Sequence, residues 1–448
     1  MTGFDAVRSP GFKLTLAMIV GLALTVPLFS VWLLVYDRQS QEQQATSSIT
    51  AGWGTAQLMS GPVLVIPYRG APDGNAPQTA AGPPARELVI APQSEAISTE
   101  IEPQLRKRSI YEAVVYDARN AGHARFTLPP DLARSGVGPG QMDLSAAQLR
   151  FTVSDPRGIG ADAQVKAGDT ALGLQPDGRG FVAPVDASRL QSGAVDIDFS
   201  FDLKGSQSLG LSPHSGDTQW TVRSSWPSPS FAGDFLPDAR KVAANGFTAR
   251  YRVGNLALGR SLVSTGDAED GRVAPASKEA RNAEENPTGA QISLIQPVDL
   301  YSQVNRATKY GFLFIGFTFL ALLMFDVIGG VRVSAVEYLL MGAALILFFV
   351  LLLAFAEVIG FAAAYVLASA AIAGLDTAYS AAVLGSWRRA GFIGGLLIGL
   401  YAVLYILLSL EAYSLLIGSL LLFAALAGVM YATRRIDWGA PREVQRAA

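Results

Sequence analysis

From Tyr310 to Thr433 the chain is almost continuously apolar, and short polar breaks divide that stretch into five runs. Tyr310–Val331 contains one acid, Asp326, and Tyr338–Ala356 contains no charge. Val358–Trp387 is interrupted only by Asp376, and Ala390–Leu410 and Ala412–Thr433 carry no charge. A helix rises about 1.5 Å per residue and the hydrocarbon core is about 30 Å thick, so about 20 such residues suffice to cross it. Leu14–Tyr36 is a sixth uncharged run, preceded by Lys13 and Arg8. It is longer than the apolar region of a cleaved signal peptide, and no small-residue cleavage pattern follows Asp37, so an uncleaved signal anchor is expected. The pattern predicts an α-helical bundle of six spans, one before and five after a large polar insertion.

Within residues 38–309 the period changes from helical to two. Val195, Ile197, Phe199, Phe201 and Leu203 alternate with Asp196, Asp198, Ser200 and Asp202, and Phe247, Ala249, Tyr251 and Val253 alternate with Thr248, Arg250 and Arg252. Such alternation marks strands with one buried and one wet face. Further strands are expected at Val63–Tyr68, Glu87–Ala91, Ala96–Ile101, Ile110–Tyr116, Leu149–Ser154 and Trp220–Arg223. The reading is an all-β, sandwich-like, antiparallel domain. Gly70–Pro84 and Ser264–Gly289 lack large apolar side chains and are expected to be surface loops. The resulting division is 1–37 for the N-terminal tail and anchor, 38–309 for the β domain, 310–433 for the bundle and 434–448 for the tail.

Charge adds orientation. With the N-terminus in the cytoplasm, Arg8, Lys13, Arg332, Arg388, Arg389, Arg434, Arg435, Arg442 and Arg446 all fall on the cytoplasmic side, and the external breaks at Glu357 and Glu411 hold no Lys or Arg. The positive-inside rule then places both termini in the cytoplasm and the β domain in the periplasm. Lys plus Arg (35) balances Asp plus Glu (37), so no basic field points to nucleic acid. There is no cysteine, and therefore no disulfide or thiolate metal site.

Candidate chemistry is sparse. The two histidines, His123 and His214, stand in turn-like contexts, and no zinc-protease, nucleophile-elbow or Walker A motif is present. Gly136-Val-Gly-Pro-Gly140 is a glycine-rich loop with no helix following it. No catalytic, cofactor-binding or metal residues are therefore expected, and the chain is read as a non-enzyme. The membrane acids are the candidate polar sites. Glu357 and Glu411 lie in external breaks and Asp326 near the inner end of its span, all within reach of water. Asp376 is either a buried polar contact or an interfacial acid, depending on where its helix begins. Gly391, Gly395 and Gly399 form a helix-packing face, serving either the bundle or a homo-oligomer.

Several stretches carry a resemblance. They are Gly61-Pro-Val-Leu-Val-Ile-Pro-Tyr68, Asp155-Pro-Arg-Gly158, Ser225-Trp-Pro-Ser-Pro-Ser-Phe231 and Gly233-Asp-Phe-Leu-Pro237, then Pro297-Val-Asp-Leu-Tyr301, Arg306-Ala-Thr-Lys-Tyr-Gly311 and Glu337-Tyr-Leu-Leu-Met-Gly342. Glu357-Val-Ile-Gly-Phe361, Gly418-Ser-Leu-Leu-Leu-Phe423 and Thr433-Arg-Arg-Ile-Asp-Trp438 complete the set. Together they resemble the CreD family of bacterial inner-membrane, cell envelope integrity proteins. The resemblance implies an inner-membrane protein with a periplasmic domain and a role in envelope stress. It also implies a His after Glu357, where this chain has Val358. The functional expectation is a periplasmic domain that binds an envelope component or partner, with membrane lipids around the bundle. The alternative is a transporter or channel formed by the C-terminal helices.

Overall fold

The computed structural model describes residues 10–69, 85–130, 132, 136–265, 289–294, 300–327, 333–409 and 414–434. Two compact units divide the chain: residues 44–297, and residues 1–43 with 298–448. The expected loops at Gly70–Pro84 and over 266–288, together with Glu411, Arg8, Arg332 and the arginines beyond Arg434, lie outside the described residues.

The unit of residues 44–297 is a two-layer β sandwich. Its strands are β1 (Gln57–Arg69), β2 (Ala85–Ile90), β3 (Ser94–Arg108), β4 (Tyr111–Phe126), β5 (Gln148–Val153), β6 (Gln164–Ala167), β7 (Thr170–Ala171), β8 (Gln175–Pro176) and β9 (Gly180–Pro184). They continue with β10 (Val195–Ser206), β11 (Ser208–Ser212), β12 (Asp217–Ser224), β13 (Pro229–Gly233), β14 (Ala239–Ala243), β15 (Gly246–Gly254), β16 (Val263–Thr265) and β17 (Ala290–Leu294). One sheet runs β13-β17-β11-β1-β5-β9-β8, with β2 on β1 and β16 on β2, and the other runs β14-β15-β12-β3-β4-β10-β6-β7. Each expected strand falls on one of these. The sandwich departs from a purely antiparallel one at two places, since β1 pairs β11 and β3 pairs β12 in parallel.

The alternation does what period two dictates. Ile97, Thr99 and Ile101 of β3 point inward with Trp220 and Val222 of β12 and with Phe247, Ala249 and Tyr251 of β15. The opposing sheet contributes Leu64, Ile66, Phe151, Phe181, Leu209 and Ile292 to the same core. Phe151 stacks on Phe181 at 4.7 Å and meets Phe199 edge-on at 5.2 Å, which locks the two layers together. Buried polar groups here are mostly satisfied: Trp220 Nε1 donates to Thr99 Oγ1 (2.9 Å), whose hydroxyl donates to Asn120 Oδ1 (2.8 Å).

The second unit is helical. Its elements are α1 (Pro10–Ala51), which runs on into the first unit, α3 (Leu300–Lys309), α4 (Gly311–Val327), α5 (Ala335–Ile359), α6 (Phe361–Leu384), α7 (Trp387–Ser409) and α8 (Ser414–Thr433); the short α2 (Asn255–Leu258) belongs to the β domain. Among the described residues five helical stretches are long and apolar enough to cross a membrane, and α8 is a further apolar helix. Helix extends beyond both expected edges of the insertion: α1 continues past Arg38, and α3 occupies residues assigned to the β domain. The amphipathic α3 escaped the sequence reading because its mean polarity resembles a linker. The run Val358–Trp387 holds the end of α5, all of α6 and the start of α7, with Gly360, at φ 80°, between α5 and α6. Ser334 and Glu337 cap α5 reciprocally, Ser334 N–H donating to Glu337 Oε2 at 2.6 Å and Glu337 N–H to Ser334 Oγ at 3.3 Å.

Candidate functional site

The bundle changes the standing of most of the expected membrane residues. Asp326 is not wettable: it is 1% exposed and forms an ion pair with Lys13 of α1. Burial is tolerable because the cation comes with it. Glu357 lies in the last turn of α5 and not in a solvated break; it accepts a hydrogen bond from Tyr301 (3.1 Å) and sits 3.9 Å from Arg38 Nε. Asp376 is inside. It is 1% exposed and shares the buried stripe of α6 with Tyr365, Ala368, Ile372 and Ser380, residues recurring at the three- and four-residue spacing of one helical face. Its Oδ2 has no hydrogen-bond partner.

Of the two uses expected of the glycine face, bundle or homo-oligomer, its outward orientation does not favour the first. Gly391, Gly395 and Gly399 are exposed, and among the described residues no atom lies within 4 Å of where a Cβ would stand on any of them. The close approaches fall on other glycines. A Cβ on Gly394 would meet Thr377 Oγ1 at 2.3 Å, one on Gly342 would meet Leu24 Cδ1 at 2.1 Å, and one on Gly311 would meet Leu28 Cδ1 at 2.7 Å. Gly311 and Gly342 end two of the quoted motifs, and their physical role is to seat α1 against α4 and α5. Spacing records that glycines share a face, not which way that face turns.

The β domain brings together groups that sequence reading did not single out. Across the solvent face of the second sheet, register aligns Asp202, Arg119, Glu100, Arg223, Thr248 and Lys241 in one cross-strand row. Signs alternate along its first four members, and directly opposed charges of opposite sign stabilise such a row. Its last four members line an open groove of about 520 Å³ with Glu102, Ser225 and Asn245. The groove ends at β14, the terminal strand of its sheet, whose five residues are all exposed. Ser225 begins one of the quoted motifs, so one end of that motif borders the groove.

Two other motifs are structural anchors. Asp155 accepts from Arg157 Nε and Nη2, both at 2.8 Å, which holds its carboxyl below the usual range. Gly158 approaches Lys204 so closely that a Cβ would stand 2.2 Å from its carbonyl oxygen. Gly61 faces Glu95 of β3, whose Oε1 lies 1.6 Å from where a Gly61 Cβ would be. Glu95 is 2% exposed, neither carboxyl oxygen has a partner, and burial pushes its pKa up to about 8. Of the two histidines, His214 lies in the connection between β11 and β12, as its turn-like context implies, and His123 does not lie in a turn. His123 sits within β4, with Nδ1 2.9 Å from Asp198 Oδ1, because its neighbours complete a strand that its flanking glycine disguised. His214 is half-buried, Nδ1 lying 3.1 Å from the Ser212 carbonyl and 3.3 Å from Ser60 Oγ, and burial lowers its pKa. Among the described residues, no three His, Asp or Glu side chains gather as a metal site.

A bundle of membrane-length apolar helices interrupted after its first helix by a large β sandwich defines a multi-span membrane protein with an inserted β domain. Residues 9–439 match the family model described as "Inner membrane protein CreD". The chain is 29% identical to the Inner membrane protein CreD of Escherichia coli (strain K12), over 96% of this chain and 94% of the relative. It belongs to the CreD family of inner membrane proteins.

Proposed function

We propose that this protein is a non-enzymatic recognition protein of the cell envelope, with its β domain in the periplasm and its helices as the membrane anchor. The observation that carries this reading is the groove between Glu100, Arg223, Thr248 and Lys241. It is open, polar and lined by both signs of charge, on a sandwich whose own apolar faces are already buried against each other. Such a surface offers donors and acceptors to a polar envelope component, and the exposed strand β14 offers a free edge beside it. The large insertion is more than a connection between two helices requires.

The test is a photocrosslinking residue placed at Thr248 of the full-length protein in intact cells, with Asp169 as an exposed control site. A discrete adduct from Thr248, absent from Asp169 and lost in Arg223→Ala/Lys241→Ala at equal protein level, supports the reading. The same adducts from both sites, or none from Thr248, refute it.

A further inference from the structure

We propose that the bundle carries a proton-binding site at Asp376, served by a file of buried hydroxyl and phenol groups, and that the protein passes protons across the membrane. This goes beyond recognition by the β domain and rests on separate residues. Four helices each turn a buried polar side chain inward, and four of these side chains have an oxygen with no hydrogen-bond partner: Thr318 on α4, Tyr338 on α5, Asp376 on α6 and Tyr401 on α7. An unpartnered polar group in hydrocarbon surroundings is costly, so interior polar side chains of a bundle ordinarily bond to one another or face a pathway. Here they gather in one interior without bonding to one another.

The packing orders them along the bundle axis. The Tyr401 ring lies 4.9 Å from Phe314 and 4.6 Å from Phe348, and Tyr365 donates its hydroxyl to the Tyr401 carbonyl at 2.7 Å. Thr318 follows Phe314 by one turn of α4. Asp376 lies on the Tyr365 stripe of α6, and Ser380 follows it by one turn. Ser380 Oγ is 4.0 Å from Met341 Sδ, and Tyr338 precedes Met341 by one turn of α5. The end of the bundle beyond Tyr338 holds the Asp326–Lys13 ion pair. The sequence of groups is therefore Tyr365, Tyr401, Asp376, Ser380, Tyr338 and Asp326.

Chemistry selects the proton. Hydroxyl and phenol groups both donate and accept, so a file of them bridged by water relays a proton without a passage wide enough for a solute. Among the acids of the described bundle, Asp376 alone is not otherwise engaged. Asp326 is neutralised by Lys13, Glu357 lies beside Arg38 and Glu337 caps α5. The titratable group that faces Asp376 electrostatically is Tyr401 of α7. The buried side chains Thr318 of α4 and Met341 and Leu345 of α5 carry no charge, and no described cation pairs with Asp376. In each transfer the proton leaves one oxygen as the next accepts it, so charge and atoms balance with no co-reactant.

The test uses full-length protein reconstituted in phosphatidylethanolamine–phosphatidylglycerol vesicles containing a pH dye, with a potassium diffusion potential as the driving force. Flux at least tenfold above empty vesicles is expected, reduced at least tenfold in Asp376→Asn, retained in Asp376→Glu and lowered in Tyr401→Phe. Should the Asn variant fail to reconstitute, Tyr401→Phe, which removes only one oxygen, decides between relay and packing. Wild-type flux equal to that of empty vesicles overturns the proposal, as does unchanged flux in both Asp376→Asn and Tyr401→Phe. Flux that follows a sodium gradient at constant pH overturns the assignment to protons.

Discussion

Glu95→Gln should stabilise the β domain increasingly as pH rises, because it replaces a buried carboxyl with a neutral group of the same shape. In the folded domain the Glu95 carboxyl has no partner and its pKa is raised from 4.5 to about 8. The folded state therefore holds a proton that the unfolded chain releases above 4.5. Stability is greatest below pH 4.5, falls as pH rises through the interval, and levels off above 8. Each unit is worth about 1.4 kcal/mol, so the full loss is about 5 kcal/mol, comparable to the total stability of many domains. The Gln side chain leaves its amide as unpartnered as the acid, so that cost cancels in the comparison. Urea denaturation of residues 44–297 from pH 4.5 to 8.5, read by tryptophan fluorescence, measures it. The two proteins should match near pH 4.5 and diverge by about 1.4 kcal/mol per unit. Parallel curves across that range would refute the burial argument.

Three further outcomes are expected. Gly61→Ala should cost about 1–3 kcal/mol through overpacking against the Glu95 carboxyl, and less in a Glu95→Ala background, as a double-mutant cycle in the same assay would show. Residues 44–297, which have their own core and both complete sheets, should fold alone with a β-type circular dichroism spectrum and a cooperative thermal transition; an aggregated or disordered product would refute this. For orientation, a single cysteine at Ser212 should react with an impermeant thiol reagent in intact spheroplasts and one at Ser386 should not; the reverse pattern would invert the topology.

Period and length were enough to find the two architectures. Apolar runs of bilayer length define helices because hydrocarbon tolerates only internally satisfied backbone, and Val195–Leu203 and Phe247–Val253 define strands because a pleated strand turns alternate side chains to opposite faces. The Asp376 problem was visible too, as a lone acid on an apolar span. Its burial was not, since one face of α6 becomes interior only when α5 and α7 cover it. The same holds for Gly391, Gly395 and Gly399, whose face turned outward, while Gly311, Gly342 and Gly394 took the close contacts. Strand pairing decided the rest: the row from Asp202 to Lys241 sets Glu100 beside Arg223, a residue far along the chain, and Gly61 meets Glu95 only when the sheets close. Local pattern sets which way a residue can face within its own element; which atoms lie opposite depends on the registers and packing of distant segments, and the chemistry of Asp376 and Glu95 depends on those atoms.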